Sequence, residues 1–289
     1  MPSDPAISVP APAKLNLYLH VTGRRDDGYH ELDSLVAFTR LGDTVSVTAA
    51  DDLTLSATGP FAGDLPGGGD NIVLEAADRL RQLAEIGTGA DITLHKCLPV
   101  ASGIGGGSAD AAAAITALRR LWDFEPAASD VSALALELGA DVPVCLAGEA
   151  AYMGGIGEVL EPFPALPEIP VVLVNPGVAV STADVFRART GPFTPPNRFA
   201  GPVGHALDLA QSLAARQNDL TAAATAQAPV IGDALTALGG CTDCLLTRMS
   251  GSGATCFALF ALPAAAEAAA KRIAAAYPDW WVEVTELAS

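Results

Sequence analysis

The sequence predicts an α+β fold, on three observations. Strand-like and helix-like segments mix along the second half without strict β-α-β alternation. A strand-like segment, Ala90-Asp-Ile-Thr-Leu-His95, leads into a glycine cluster that turns at once into an alanine-rich helix. The chain has 289 residues, half of them hydrophobic and 17% charged. That length fits about two domains and buries on the order of three-quarters of the unfolded surface.

The first element is Pro12-Ala-Lys-Leu-Asn-Leu-Tyr-Leu-His-Val21. Ala13, Leu15, Leu17, Leu19 and Val21 share one face and Lys14, Asn16, Tyr18 and His20 the other, the pattern of a half-buried strand. Lys14 and Asn16 project side by side. Lys14 is either part of an ordinary solvated face or, just after a proline at a strand start, a cation at a ligand-facing rim. Asp27-Gly28 is a turn signal followed by Tyr29 and His30, which read either as a hairpin end or as a pair suited to a flat heterocycle. Residues 43–48 and 53–57 alternate as strands, and 59–70 form a Gly/Pro/Asp loop. A helix over 71–83 takes Asp70 or Asn71 as its cap.

The central stretch is Pro99-Val-Ala-Ser-Gly-Ile-Gly-Gly-Gly-Ser-Ala-Asp110, followed by Ala111 to Leu118. Ser108 is the expected N-cap, with Asp110 in the first turn. Glycines let backbone N–H groups crowd toward an anion, and a helix start favours negative charge. The stretch reads as a phosphate cradle; the alternative is a flexible loop before a buried helix. No Gly-Lys-Ser/Thr follows, so it is not a Walker A loop. Counted from Gly103 and Gly105, the third position of a dinucleotide fingerprint holds Ser108, and no acidic residue follows in a second strand.

A second helix over 129–138 ends at Gly139. Asp141 then lies before an apolar run, Val142 to Leu146, as either a cap or turn residue or a buried functional acid. Tyr152-Met-Gly-Gly-Ile-Gly157 is the expected junction, giving an N-terminal domain of residues 1–160 and a C-terminal α+β domain of residues 161–289. Beyond it come a buried strand over 170–175, a short helix over 182–187 carrying Phe186, and a Pro/Gly loop over 190–202. Helices follow over 205–216 and 219–238. Strands over 245–249 and 256–260 flank Ser250-Gly-Ser-Gly-Ala254, and a helix over 263–277 precedes a closing strand over 280–285.

The net charge of −17 argues against nucleic acid and anionic membranes as partners. It also means that an anionic ligand needs a locally favourable site, with only 16 Lys plus Arg to help build one. The first ten residues lack a signal-peptide pattern, and no run of about 18 apolar residues occurs. Five cysteines, an odd count in a long chain, suit reduced thiols in the cytoplasm. Cys241 and Cys244 form a C-x-x-C without a second pair to complete a metal site.

The glycine stretch resembles the phosphate-binding motif of the superfamily of galactokinase, homoserine kinase, mevalonate kinase and phosphomevalonate kinase. Four further segments narrow the resemblance: Pro12-Ala-Lys-Leu-Asn-Leu17, Arg25-Asp-Asp-Gly-Tyr-His30, Gly139-Ala-Asp-Val-Pro143 and Met249-Ser-Gly-Ser-Gly-Ala254. In this order they are similar to the 4-diphosphocytidyl-2-C-methyl-D-erythritol kinases, from about Ala11 to the final strand. The resemblance implies a two-domain fold of this superfamily with the active site in the cleft between domains. It implies ATP and Mg²⁺ as cofactors and the cytidylyl-diphospho-methylerythritol compound as a small-molecule substrate, with a monomer or homodimer as the assembly. Lys14 and Asp141 would match the catalytic pair, and Asn16 would help hold the substrate. The ATP phosphates would lie against Pro99, Val100, Ala101, Ser102, Gly103, Ile104, Gly105, Gly106, Gly107, Ser108 and Ala109, with Asn71 and Lys96 near the adenosine. Tyr29, His30 and Phe186 would match a cytidine pocket, with Thr182 a further member. Protein ligands of the metal are not assigned; Ser108 is the best candidate. Where some members carry an aromatic after the Tyr-His turn, this chain has Val36. The competing readings are a mevalonate or homoserine kinase, a non-catalytic nucleotide-binding regulator on the same fold, and a dinucleotide-dependent oxidoreductase.

Overall fold

A computed structural model describes residues 6–65 and 71–288. The chain divides into two compact units, each built from several segments. One comprises Met1–Ala13, Gly42–Val100 and Gly105–Gly148; the other comprises Lys14–Leu41, Ala101–Ile104 and Glu149–Ser289. Two long strands, β1 (Ile7–Arg24) and β2 (His30–Ala50), run through both and pair with each other.

In the first unit, residues 44–50 of β2 pair antiparallel with β4 (Gly89–His95), and β3 (Leu53–Thr58) lies parallel to β4 on its other side. Four helices complete the unit: α1 (Ile72–Leu83), α2 (Gly106–Leu121), α3 (Ala128–Leu138) and α4 (Val142–Ala147). Asn71 caps α1, its side chain accepting a hydrogen bond from Val73 N. The alternative cap, Asp70, lies outside the described residues. Gly139 ends α3 as expected. Ala111, Ala112, Ala113 and Ala114 are all buried, so α2 packs closely because its core side is small.

The glycine-loop helix corrects one expectation. α2 starts at Gly106, with Gly105 in the N-cap position at φ 66°. Ser108 is thus inside the first turn, not its cap. A left-handed residue is the natural use of glycine, and it lets the helix begin three residues earlier.

In the second unit, residues 32–36 of β2 pair with β5 (Ala151–Gly155), which pairs with β6 (Val159–Pro162). The expected junction at 152–157 is therefore largely strand. A four-stranded antiparallel sheet runs β10–β7–β9–β8, made of β7 (Pro170–Asn175), β8 (Cys244–Met249), β9 (Cys256–Phe260) and β10 (Trp281–Glu286). The helices of this unit are α5 (Thr182–Ala188), α6 (Ala206–Ala214), α7 (Thr221–Gln227), α8 (Val230–Gly239) and α9 (Pro263–Ala276). The helix expected over 219–238 is two helices because Pro229 lacks an N–H and restricts the residue before it. Among the described residues no helix is long and apolar enough to cross a membrane.

The strand β1 is not half-buried. Lys14, Asn16, Tyr18 and His20 are all within 3% of full burial. The polar face is covered by the loop after α5, which has no regular structure but is tied down throughout. Thr194 N donates to Val21 O, the His20 ring meets Pro195 O, and Asp33 accepts from Asn197 N and Arg198. Arg248, also buried, donates to Leu17 O, Leu213 O and Arg216 O and so ties β8 to β1. Burial lowers its pKa to about 10.

Candidate active site

In the second unit the phosphate loop is held at its entrance. Lys14 N donates to Ile104 O at 2.8 Å, and Thr255 N donates to Ser102 O at 3.0 Å. Gly103 has φ 76°, and a Cβ there would come 2.5 Å from Gly253 O and 2.8 Å from Ser250 O. Only glycine fits so close to the 250–254 turn, which packs against residues 101–104. Asn218 supports that turn from behind through Met249 O and Gly251 O, both at 2.8 Å.

Lys14 and Asn16 meet directly: the Lys14 ammonium donates to Asn16 Oδ1 at 3.1 Å. Asn16 Nδ2 donates to Ser34 Oγ at 2.9 Å, and Ser34 Oγ donates to Tyr18 O at 2.5 Å. Asn16 N donates to Ser250 Oγ at 3.1 Å, and Ser250 Oγ donates to Gly103 O at 3.0 Å. One buried hydroxyl thus joins β1 to the phosphate loop. Neither serine was singled out from the sequence as a ligand of Asn16. Ser250 was legible only as part of the 250–254 motif. Ser34 lies in the unrecognised first half of β2, where Leu35, Val36, Ala37 and Phe38 are all buried and erase the alternation that marks a strand.

The aromatic residues divide. The His30 and Phe186 rings stack at 5.2 Å with an interplanar angle of 26°. Burial lowers the His30 pKa, with Arg24 and Arg189 adding to the effect, which favours the neutral ring. Tyr29 is 61% exposed, its backbone held by the Asp27 turn. The Thr182 hydroxyl pairs with Ser252 at 2.8 Å, placing it on the 250–254 turn. Val36 is fully buried opposite Ala151 in the strand pair.

In the first unit, α2 presents an N-terminus that no side chain caps. Its leading amides are therefore available to an anion, the requirement for a phosphate cradle. Beneath it lies an ion triad. The Lys96 ammonium reaches Asp43 Oδ2 at 2.5 Å and Asp110 Oδ2 at 2.7 Å, all three residues within 2% of full burial. A Cβ on Gly106 would sit 3.1 Å from Lys96 Nζ, so the ammonium lies directly under the helix start. Asp43 Oδ1 accepts from Cys97 N and Leu98 N, and Asp110 Oδ1 has no hydrogen-bond partner. Burial raises the Asp110 pKa to about 7 against the pull of Lys96, with Asp43 adding to the rise. Asp141 stands in the N-cap position of α4, and its side chain accepts no capping bond there. Among the described residues no group of three or more His, Cys, Asp or Glu could hold a metal ion.

A glycine-led helix start without a side-chain cap suits an anion such as a phosphate. The comparisons agree. The family model described as "GHMP kinases N terminal domain" matches residues 71–149, and "GHMP kinases C terminal" matches residues 200–279. A mevalonate kinase structure from Methanococcus jannaschii, 10% identical, shares the fold with a TM-score of 0.70 over 100% of both chains. The chain is therefore a kinase of this superfamily, an ATP-dependent phosphotransferase acting on a small molecule.

Within it, the 4-diphosphocytidyl-2-C-methyl-D-erythritol kinase of Paramagnetospirillum magneticum is 54% identical over 98% of this chain and 99% of its own. That of Rhodospirillum rubrum is 48% identical over 99% of this chain and 94% of its own. A crystal structure of 4-(cytidine 5'-diphospho)-2C-methyl-D-erythritol kinase is 34% identical with a TM-score of 0.80, over 98% of this chain and 100% of that one. The chain belongs to the 4-diphosphocytidyl-2-C-methyl-D-erythritol kinase family.

Proposed function

We propose that this chain transfers the γ-phosphoryl group of ATP to the 2-hydroxyl of 4-diphosphocytidyl-2-C-methyl-D-erythritol, a step in making isoprenoid precursors. The single observation that carries the substrate assignment is the stacked His30–Phe186 pair. A plain alcohol such as mevalonate or homoserine leaves that pair without a role, whereas a cytosine ring can use it. A neutral imidazole offers one donor and one acceptor to the base edge, and Phe186 offers a stacking face. In our reading exposed Tyr29 closes over the base, and Thr182 joins the same pocket.

The acceptor is a tertiary alcohol, crowded and weakly acidic, so alignment contributes heavily. In our reading Asp141 orients the hydroxyl and takes its proton late in the transfer. Lys14 stabilises the developing negative charge. Asn16 holds Lys14 in place and contacts the substrate. Residues 99–109 hold the phosphates, with Asn71 and Lys96 at the adenosine end, the Lys96 ammonium spoken for by its two carboxylates. Mg²⁺ would neutralise charge on the phosphates, and Ser108 is the side chain we place nearest it. The five cysteines, all free, fit a reducing cytoplasm. We expect a monomer or a homodimer.

The test is ADP release from ATP with Mg²⁺, comparing the cytidylyl substrate with mevalonate and homoserine. Turnover with the cytidylyl compound alone is expected. Activity on a plain alcohol instead would keep the kinase and discard the base pocket.

A further inference from the structure

We infer that Ser34 is a positioning residue for phosphoryl transfer: its hydroxyl sets the orientation of the Asn16 amide and, through it, the place of the Lys14 ammonium. The inference rests on the reading of Lys14 as catalytic and goes beyond it to a residue that touches neither substrate nor nucleotide in that reading.

The argument is one of hydrogen-bond direction. A serine hydroxyl has one proton. The Tyr18 carbonyl, 2.5 Å away, can only accept, so Ser34 spends its proton there. Its oxygen is then left to accept, and Asn16 Nδ2 at 2.9 Å is the group that donates to it. Asn16 must therefore turn Oδ1 the other way, toward Lys14 Nζ at 3.1 Å. The ammonium can only donate, so both ends of the relay require the same amide orientation.

Reversal of the amide would set an NH₂ against the ammonium. Ser34, Asn16 and Lys14 are all within 3% of full burial, so water is a poor substitute at any link. Asn16 is also anchored by its own N–H to Ser250 Oγ, which fixes its backbone but leaves the side-chain amide free to turn. Ser34 supplies the constraint that remains. It does so from β2, a different strand from the one carrying Lys14 and Asn16.

The relay predicts which chemistry position 34 tolerates. Threonine keeps the hydroxyl; valine has nearly the same shape without it. Ser34→Val should lower kcat about tenfold or more while KM for ATP stays within about twofold, because the interaction lost bears on the transferring group. Ser34→Thr should return kcat to within about threefold of the parent. Adding Ser34→Val to Asn16→Ala should lower kcat no further, since the relay is already cut; a merely structural defect would add. Thermal unfolding of each variant checks that it is folded. Ser34→Ala, which only deletes the hydroxyl, replaces valine in both measurements should valine not be accommodated.

Valine and threonine variants of equal kcat, or additive losses in the double variant, would overturn the inference. Lys14→Met separates it from the reading beneath it. An inactive Lys14→Met enzyme beside an unimpaired Ser34→Val enzyme rejects Ser34 alone, and an active Lys14→Met enzyme rejects the catalytic assignment and this inference with it.

Discussion

Around Lys14 the buried groups that secure Asn16 are neutral, an amide and two serine hydroxyls, each hydroxyl with its proton given to a carbonyl and its oxygen accepting. Beneath Gly106 they are one ammonium and two carboxylates, with Asp110 Oδ1 left over. The first cluster specifies direction. A hydroxyl or amide in it can be satisfied in one way only, so it fixes where an ammonium points. The second specifies proximity. An ion pair attracts from any angle, so it clamps β2, the exit of β4 and α2 together but says little about orientation. A chain that must aim one lysine and bury another uses different partners for each. We expect damage to the first cluster to appear in turnover and damage to the second in stability.

The largest effect should come from the catalytic pair. Asp141→Asn and Lys14→Met should each lower kcat by roughly 10²–10⁴ with little change in KM. Steady-state kinetics beside thermal unfolding would check both halves of that statement. A Lys14→Met protein that unfolds easily yet turns over normally would erase the contrast between the two lysines.

Next in size is Lys96→Met. Removal of the ammonium leaves two buried carboxylates facing each other, a change that costs about 3–5 kcal/mol when one partner of a buried pair is lost. Denaturant midpoints should report it, with residual kcat in the folded fraction. If this variant instead lost turnover without losing stability, Lys96 would belong with Lys14 as a functional cation. The notion that its ammonium is a direct nucleotide ligand would then return.

These two lysines also mark what sequence reasoning could reach. Lys14 stood out as a cation at a strand start just after a proline, whereas Lys96 entered only through the family resemblance. Lys14 came with its alternation partner Asn16, so their contact was legible from a period of two. Lys96 came alone. Its partners lie 53 and 14 residues away, and Asp43 reads as the first residue of an alternating strand, not as a charge aimed inward. The burial of β1's polar face escaped for a similar reason. It depends on a loop of prolines and glycines whose ties, such as Asn197 N donating to the Asp33 carboxylate at 2.9 Å, often start from backbone groups that a side-chain pattern does not show. Two helix ends read well. Asn71 and Gly139 bounded their helices, while Pro229 split one that hydropathy had joined.

Phe186→Ala comes third. Loss of a stacking face costs about 1–3 kcal/mol per base, so KM for the cytidylyl substrate should rise by roughly five- to a hundredfold with kcat for ATP turnover less affected. His30 stacks on Phe186 without help from a substrate, so the same substitution should also free the His30 ring. With less burial its pKa should move back up toward the ordinary histidine value, which NMR titration of the imidazole would follow.

The smallest effect should be Asp110→Asn, and its sign is the informative part. The Asp110 pKa is raised to about 7 in the folded chain, chiefly by burial, from the 3.8 of an exposed carboxyl. Between those values the folded state holds a proton that the unfolded state has released. By linkage, stability from this group is present at acid pH and is lost as pH rises through about 7. Asparagine keeps an oxygen for Lys96 and removes the excess charge, so Asp110→Asn should flatten that part of the stability profile. At pH 8 the variant should equal or exceed the parent in unfolding midpoint. Denaturant melts of both proteins from pH 5 to pH 8 would measure the difference. An unchanged slope would mean that Asp110 stays ionised beside Lys96. The triad would then be a pair of matched ion pairs, closer in kind to the saturated network around Lys14 than its leftover oxygen suggests.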